Sequence, residues 1–303
     1  MKHLFIINPA AGSRDRTGEY QQTIRRVCAG LDYRIAVSGA PGDCRRIARQ
    51  AAETGEEYRI YCCGGDGTLN EVVSGVAGYE NVAVTHYAGG SGNDFIKVFS
   101  DPQAFRDLER LLECQETAFD LIRCNEHYAL NVCSIGLDAR IGTDVAGYKR
   151  LPLLHGFRAY ALSTIVNVIR GITEHYVVTV GGQTLDGQLT MICVCNGSYY
   201  GGGFHPVPSA DPSDGILDVL VVRQVSRLKV AQVVGKYKAG RFAEYPELIR
   251  HYRTDRVQIR CDRQTPINLD GELAFADAMD IRLAGEKIRF FYPKGVRLLG
   301  ERA

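Results

Sequence analysis

The stretch IYCCGGDGTLNEVVSGV (Ile60–Val76) joins an apolar run to a helical pattern through two glycines, one acid and a third glycine. Leu69, Val72, Val73 and Val76 recur at the spacing of one helix face, so the segment reads as strand, glycine turn, helix. Such a turn presents free backbone N–H groups and the positive end of a helix dipole, which is an anion site by geometry. Glycines let a phosphate approach the backbone, and Thr68 can cap the helix or donate to a phosphate oxygen. Asp66 would repel a bare phosphate. It makes sense if Mg²⁺ lies between the two, or if the acid orders nearby donors. Taken alone, the fragment reads equally well as a tight turn with an Asx cap. Neither the Walker A pattern nor G-x-G-x-x-G is complete, since Asn70 stands where the last glycine is required.

Outward from this turn the chain alternates strand and helix. HLFIIN, DYRIAVS, YRIYCC and NVAVTHYA read as strands, separated by the patterns beginning at Thr17, Cys44 and Leu69. That alternation predicts βαβ units with a parallel sheet. From about residue 120 the rhythm changes to HYVVTVGGQTL, QLTMICVCN, ILDVLVV, RVQIRC, PINLDG and DIRLAGEKIRFFY, broken by turn signals at Gly181-Gly182 and Ala284-Gly285. These predict antiparallel hairpins and a sandwich or barrel, with helical insertions near 155–172 and 226–250. The expected organisation is an α/β domain over 1–120 and an antiparallel β domain over 121–293, with no linker between them.

Composition limits the partners. The 303 residues carry a formal net charge of +1, which disfavours a general nucleic-acid binder. The 10 cysteines include no C-x-x-C, so zinc ligation is not expected and they read as small buried hydrophobes of a reduced, cytoplasmic protein. No run reaches the length of a membrane span, and the N-terminus enters a strand with no secretory h-region.

Two further loops repeat the recipe of the first. NPAAGS places Asn8, Gly12 and Ser13 after the first strand, and YAGGSGNDF (Tyr87–Phe95) places glycines, Ser91, Asn93 and Asp94 after the fourth. In a parallel sheet these loops fall on one edge, where ligands bind. The GGSGN piece is not a hydrolase elbow, because Asn93 breaks G-x-S-x-G.

NPAAG, GGDGTLNEVVSG and GGSGNDF, in this order, resemble the diacylglycerol kinase catalytic domain and its bacterial soluble lipid kinase relatives. The resemblance continues through FDLIRCNEHYALNVCSIGLDA, NGSYYGGGFHPVPSADPSDGILDV and INLDGE, and so covers nearly the whole chain. It implies an α/β nucleotide domain and an antiparallel β-sandwich domain with an ATP cleft between them. The tail at 294–303 would return to the first domain. Carried over by motif, Asn8, Pro9, Ala10, Ala11, Gly12, Ser38, Gly65, Asp66, Gly67, Thr68, Leu69, Asn70 and Ser91 would line the ATP site. Asp66 and Asp94 would act through Mg²⁺ near the phosphates. Asp270 would be the general base with Glu272 beside it, since phosphoryl transfer needs a proton acceptor near the attacking hydroxyl. Asp211, Asp214 and the Ile216 carbonyl would hold a structural Mg²⁺, tied through water to Asp120. The chain departs from the resemblance at Ala88–Gly92, where relatives carry Pro-Leu-Gly-Thr, and at Ile96, where Ala is common.

The implied activity is transfer of the ATP γ-phosphate to a lipid hydroxyl, with diacylglycerol the expected acceptor. Phosphatidylglycerol, a sphingoid base, a soluble metabolite as in NAD kinases, or binding without turnover are the alternatives. Such an enzyme would be cytoplasmic and peripheral at the inner membrane surface. SRLKVAQVVGKYKAGRFAEY (Ser226–Tyr245) combines basic and apolar residues that suit an anionic bilayer, though the same pattern describes a helix with one packed and one solvated face. An exposed sheet edge in the β domain is the expected surface for a homodimer.

Overall fold

The computed structural model describes residues 1–148 and 172–300. Strands β1 (Lys2–Ile7), β2 (Tyr33–Val37), β3 (Tyr58–Gly64) and β4 (Val82–Ala88) form a parallel sheet in the order β4-β3-β1-β2. Helices α1 (Thr17–Val27), α2 (Asp43–Ala52) and α3 (Asp66–Val76) make the crossovers. β4 is buried at every position and β3 at its last five, which is why both are written as continuous apolar runs rather than alternating ones. α4 (Leu108–Leu112) follows, capped by the Asp107 side chain, which accepts from the Glu109 and Arg110 N–H groups.

The remainder is strand-rich: β5 (Cys114–Cys124), β6 (His127–Ala129), β7 (Val132–Gly136), β8 (Glu174–Val180), β9 (Gln183–Cys195), β10 (Leu217–Arg223), β11 (Ile249–Thr254), β12 (Arg256–Leu269) and β13 (Glu272–Pro293). Helix α5 (Leu137–Tyr148) follows β7, and α6 (Arg227–Lys238) lies between β10 and β11. The insertion expected near 155–172 lies almost wholly outside the described residues. The one expected over 226–250 stops at Lys238, and β11 then pairs antiparallel with β10. IRHYRT was missed as a strand because it is the outermost strand on that side and has little apolar alternation to announce it.

β13 joins the two regions. Its first half pairs with β12 from Glu272 to Arg282, and its second half adds parallel to β4 at Arg289–Ala83 and Phe290–Val84. Ala284-Gly285 is therefore no hairpin turn. It is an irregularity inside one 22-residue strand, where the pairing with β5 shifts register between Leu283 and Lys287. Ile288, Phe290, Phe291, Tyr292, Val296 and Leu298 belong to the first hydrophobic core, so the return to the α/β region begins before residue 294. A second core of β-strand residues, including Ile135, Val178, Ile192, Val219, Ile259 and Ile281, fills the strand-rich region. Burial of these branched side chains contributes roughly 25 cal/mol per Å² of apolar surface removed from water. Among the described residues no helix is long and apolar enough to cross a membrane.

Candidate active site

The three glycine loops meet at the C-terminal ends of the parallel strands, backbone against backbone. A Cβ built on Gly12, whose φ is +82°, would fall 2.7 Å from the Gly89 carbonyl oxygen, and one on Gly90 would fall 2.4 Å from the Gly65 Cα. Only glycine permits this approach. Facing them across a cleft of about 430 Å³ are Leu130–Val132, Tyr200–Gly202, Asn268 and Asp270–Glu272.

Asn8 organises the first loop. Its Oδ1 accepts from the Ala10 N–H at 3.0 Å and its Nδ2 donates to Thr68 Oγ1 at 3.0 Å. Of the expected nucleotide residues, Gly12, Gly65, Asp66, Gly67, Leu69 and Ser91 line the cleft. Thr68 is buried behind it. Ser38 is buried at the end of β2, where its N–H bonds the Ile7 carbonyl and its side chain meets Cys44.

Asp66 and Asp94 converge. Asp66 Oδ1 accepts the Asp94 N–H at 2.6 Å, and a Cβ on Gly92 would fall 2.7 Å from Asp66 Oδ2 and 3.5 Å from Asp94 Oδ2. Burial, with Asp94 adding repulsion, raises the Asp66 carboxyl above its ordinary value, while His86 opposes the rise. Asp94 is held by the Lys97 ammonium and by the Gly202 N–H at 2.6 Å. His86 lies fully buried on β4, with Nε2 at 2.9 Å from the Gly64 carbonyl, and among the described residues Nδ1 has no hydrogen-bond partner. The β4 strand pattern gave no reason to single out this histidine.

Asp270 and Glu272 differ sharply. Asp270 adopts a left-handed φ of +53° between β12 and β13. Its oxygens accept from the N–H groups of Leu130 (2.7 Å), Asn131 (3.1 Å) and Val132 (2.7 Å), and from Asn70 Nδ2 (3.2 Å). Burial nevertheless raises its pKa to about 6. Glu272 stands open to the cleft, and its Oε1 lies 3.2 Å from where a Gly67 Cβ would be. Desolvation by the cleft walls, with Glu71 repelling, raises its carboxyl too. A carboxylate has about four acceptor positions, so Asp270 has none left to offer, whereas Glu272 does.

This arrangement agrees with known proteins. Residues 2–124 match the diacylglycerol kinase catalytic domain, and 131–290 match the YegS C-terminal NAD kinase beta sandwich-like domain. The chain belongs to the diacylglycerol kinase-like lipid kinase family. A Staphylococcus carnosus protein provisionally named a lipid kinase is 27% identical over 280 residues, covering 91% of this chain and 90% of its own. A similarly named Staphylococcus epidermidis protein is 25% identical over 289 residues, covering 93% and 90%. The crystal structure of a Bacillus anthracis protein provisionally titled a diacylglycerol kinase superposes with a TM-score of 0.76 at 25% identity, covering 97% of both chains.

In this kinase the Asp-Pro-Ser-Asp-Gly loop takes a different form from a closed metal cage. Asp214 pairs with Arg253 at 2.6 Å and Asp120 pairs with Lys287 at 2.9 Å, while Asp211 accepts from the Ser213 N–H and hydroxyl. Asp120 does reach the loop, accepting the Gly215 N–H at 2.9 Å. Among the described residues no group of three or more His, Cys, Asp or Glu side chains is placed to hold a metal ion. The donor chemistry at Asp66 and Asp94 suits a cation better, because two carboxylates converge at Gly92 and the Lys97 ammonium pairs with Asp94. Tyr199 and His205 stack on each other at 3.8 Å, and Tyr200 is a buried wall of the cleft.

Proposed function

We propose that the kinase transfers the γ-phosphoryl group of ATP to the hydroxyl of an amphiphilic lipid, with diacylglycerol, phosphatidylglycerol and sphingoid bases as the acceptors to be tried. The observation that carries this reading is the free Glu272 carboxylate facing the Gly65–Thr68 turn, where phosphates would rest on the N-terminus of α3. Glu272 takes the proton of the attacking hydroxyl. Its raised carboxyl improves it as a proton acceptor near neutral pH. Asp270 acts instead as a fixed anion that locks Leu130–Val132 and Asn70 around the cleft. Asp66 and Asp94 would hold Mg²⁺, which when bound neutralises charge on the phosphates. The Asp-Pro-Ser-Asp-Gly loop, with Asp214 paired to Arg253 and Asp211 turned to Ser213, does not fit a second ion.

Peripheral docking on a bilayer is supported by α6, where Leu228 is 80% and Val234 43% exposed. Its basic residues are largely occupied within the protein: Lys236 pairs with Glu244 at 3.1 Å, and Lys229 and Lys238 lie over the Tyr245 and Phe204 rings. We therefore assign docking to the apolar side chains first. The edge strand β11 is the proposed homodimer surface.

The test incubates the protein with γ-labelled ATP, Mg²⁺ and mixed micelles of the three lipids, beside Glu272→Gln and Asp270→Asn. Glu272→Gln is expected to lower kcat by roughly a hundredfold or more with the KM for ATP unchanged. Label only in a water-soluble product would replace the lipid by a soluble acceptor. ATP bound with no labelled product would overturn the kinase activity.

A further inference from the structure

Behind the cleft lies a second cavity of about 170 Å³, lined mainly by apolar residues including Leu137, Ile141, Val222, Val230 and Val233. Tyr200 is a wall of both spaces. The one carboxylate among the described lining residues is Asp138, on the first turn of α5. Ser134 Oγ lies 2.5 Å from its Oδ2, and Asn268 is hydrogen-bonded to it from the cleft side. The Asn268 Oδ1 already accepts the Gly271 N–H at 2.8 Å, so Asn268 meets Asp138 through its amide N–H₂. Both neighbours thus present donors to Asp138, and among the described residues no cation pairs with it.

An acceptor-only group with two positions filled by the described residues still has about two to offer, and Asp138 lines an apolar space. A carboxylate in that setting carries a desolvation cost unless a donor arrives. We propose that Asp138 is a specificity-determining residue for the acceptor, binding a second hydroxyl or an ammonium group carried next to the phosphorylated hydroxyl while the hydrocarbon occupies the apolar cavity. This rests on the lipid-kinase reading above and narrows it. Among amphiphilic alcohols it favours those with a vicinal donor over those with one hydroxyl alone. Burial of the Asp138 carboxyl, which raises its pKa, agrees with a site completed by ligand.

Chain-matched probes separate the claims: hexadecan-1-ol, hexadecane-1,2-diol and 2-aminohexadecan-1-ol in mixed micelles, with the wild type, Asp138→Leu and Asp138→Asn. The wild type should phosphorylate the diol or the amino alcohol at least about tenfold better in kcat/KM than the alkanol. Asp138→Leu should bring that ratio to within about threefold, and Asp138→Asn should lose preference for the ammonium more than for the diol. The KM for ATP and the thermal midpoint report whether a variant has kept its fold. Equal losses on all three probes would make Asp138 a support for Asn268 and Gly271 only, and would overturn the proposal, as would a wild type that prefers the alkanol. A wild type that labels these probes without discrimination leaves the lipid-kinase reading standing and sinks this one. No labelled lipid at all, in this set or among the three lipids, sinks both.

Discussion

Asn70 Nδ2 donates to Asp270 Oδ2 at 3.2 Å and to the Tyr128 carbonyl at 3.1 Å, so one amide on α3 fastens the α/β region to the turn between β12 and β13. Replacing Asp270 with Ala strands the N–H groups of Leu130, Asn131 and Val132 as well as the amide. Unsatisfied buried donors cost about 1–3 kcal/mol each when water cannot reach them. We expect Asp270→Ala to lower the unfolding free energy by several kcal/mol, and Asn70→Ala by about 1 kcal/mol, read by urea denaturation. An Asp270→Ala protein as stable as the wild type would remove the anchoring role.

The same carboxyl makes stability depend on pH. With its pKa raised to about 6 from 3.8, the folded state holds this proton more tightly than the unfolded state does. The stabilising contribution is complete below about pH 4 and is lost as pH rises through about 6, by up to about 3 kcal/mol. Asp270→Asn does not titrate. The stability advantage of the wild type over that variant should shrink between pH 4 and pH 7, and a constant difference would contradict the shift.

Glu272 predicts the acid limb of the rate. Its carboxyl is raised above 4.5, so kcat/KM should climb with pH through a midpoint above that value. The residual activity of Glu272→Gln should lack this limb. A limb that persists unchanged in the variant would assign proton transfer elsewhere.

Metal dependence should reside at the Gly92 cradle. Chelation is expected to abolish turnover and added Mg²⁺ to restore it. Asp66→Asn, removing one of the two carboxylates at Gly92, should raise the Mg²⁺ concentration for half-maximal rate by roughly tenfold, about 1.4 kcal/mol. An unchanged Mg²⁺ requirement would free Asp66 from that role.

The packed glycines give the last prediction. Gly90→Ala would place a methyl 2.4 Å from the Gly65 Cα, with no flexible side chain to yield. ATP affinity, followed by equilibrium titration, should fall at least tenfold while the β-rich core keeps its thermal transition.

Much of this was legible in the sequence, for identifiable reasons. Strands buried on both faces, such as β4, must be written as unbroken apolar runs, and loops that touch backbone to backbone must be written in glycine. Hydrogen-bond saturation is not written anywhere. Asp270 and Glu272 look alike as letters, and only the positions of Leu130–Val132 separate a carboxyl held by backbone N–H groups from one open to the cleft. Asp138 was passed over because its partners, Ser134 and Asn268, are 134 residues apart from each other in chain order and meet only through β7 and β12. The Ala284-Gly285 pair carried a turn signal that tertiary pairing overrode.

The strand β13 also sets the order in which this chain can be finished. β4 pairs with β3 on one side and receives its second parallel partner only from Arg289 and Phe290, and the first core is completed by Phe291, Val296 and Leu298. During synthesis from the N-terminus, the first half would leave the ribosome with an unpaired strand edge and an aromatic gap until residues 289–298 are translated. A nascent chain stalled before Arg289 would keep that edge exposed, so the cleft between the two halves is completed only once β13 is in place.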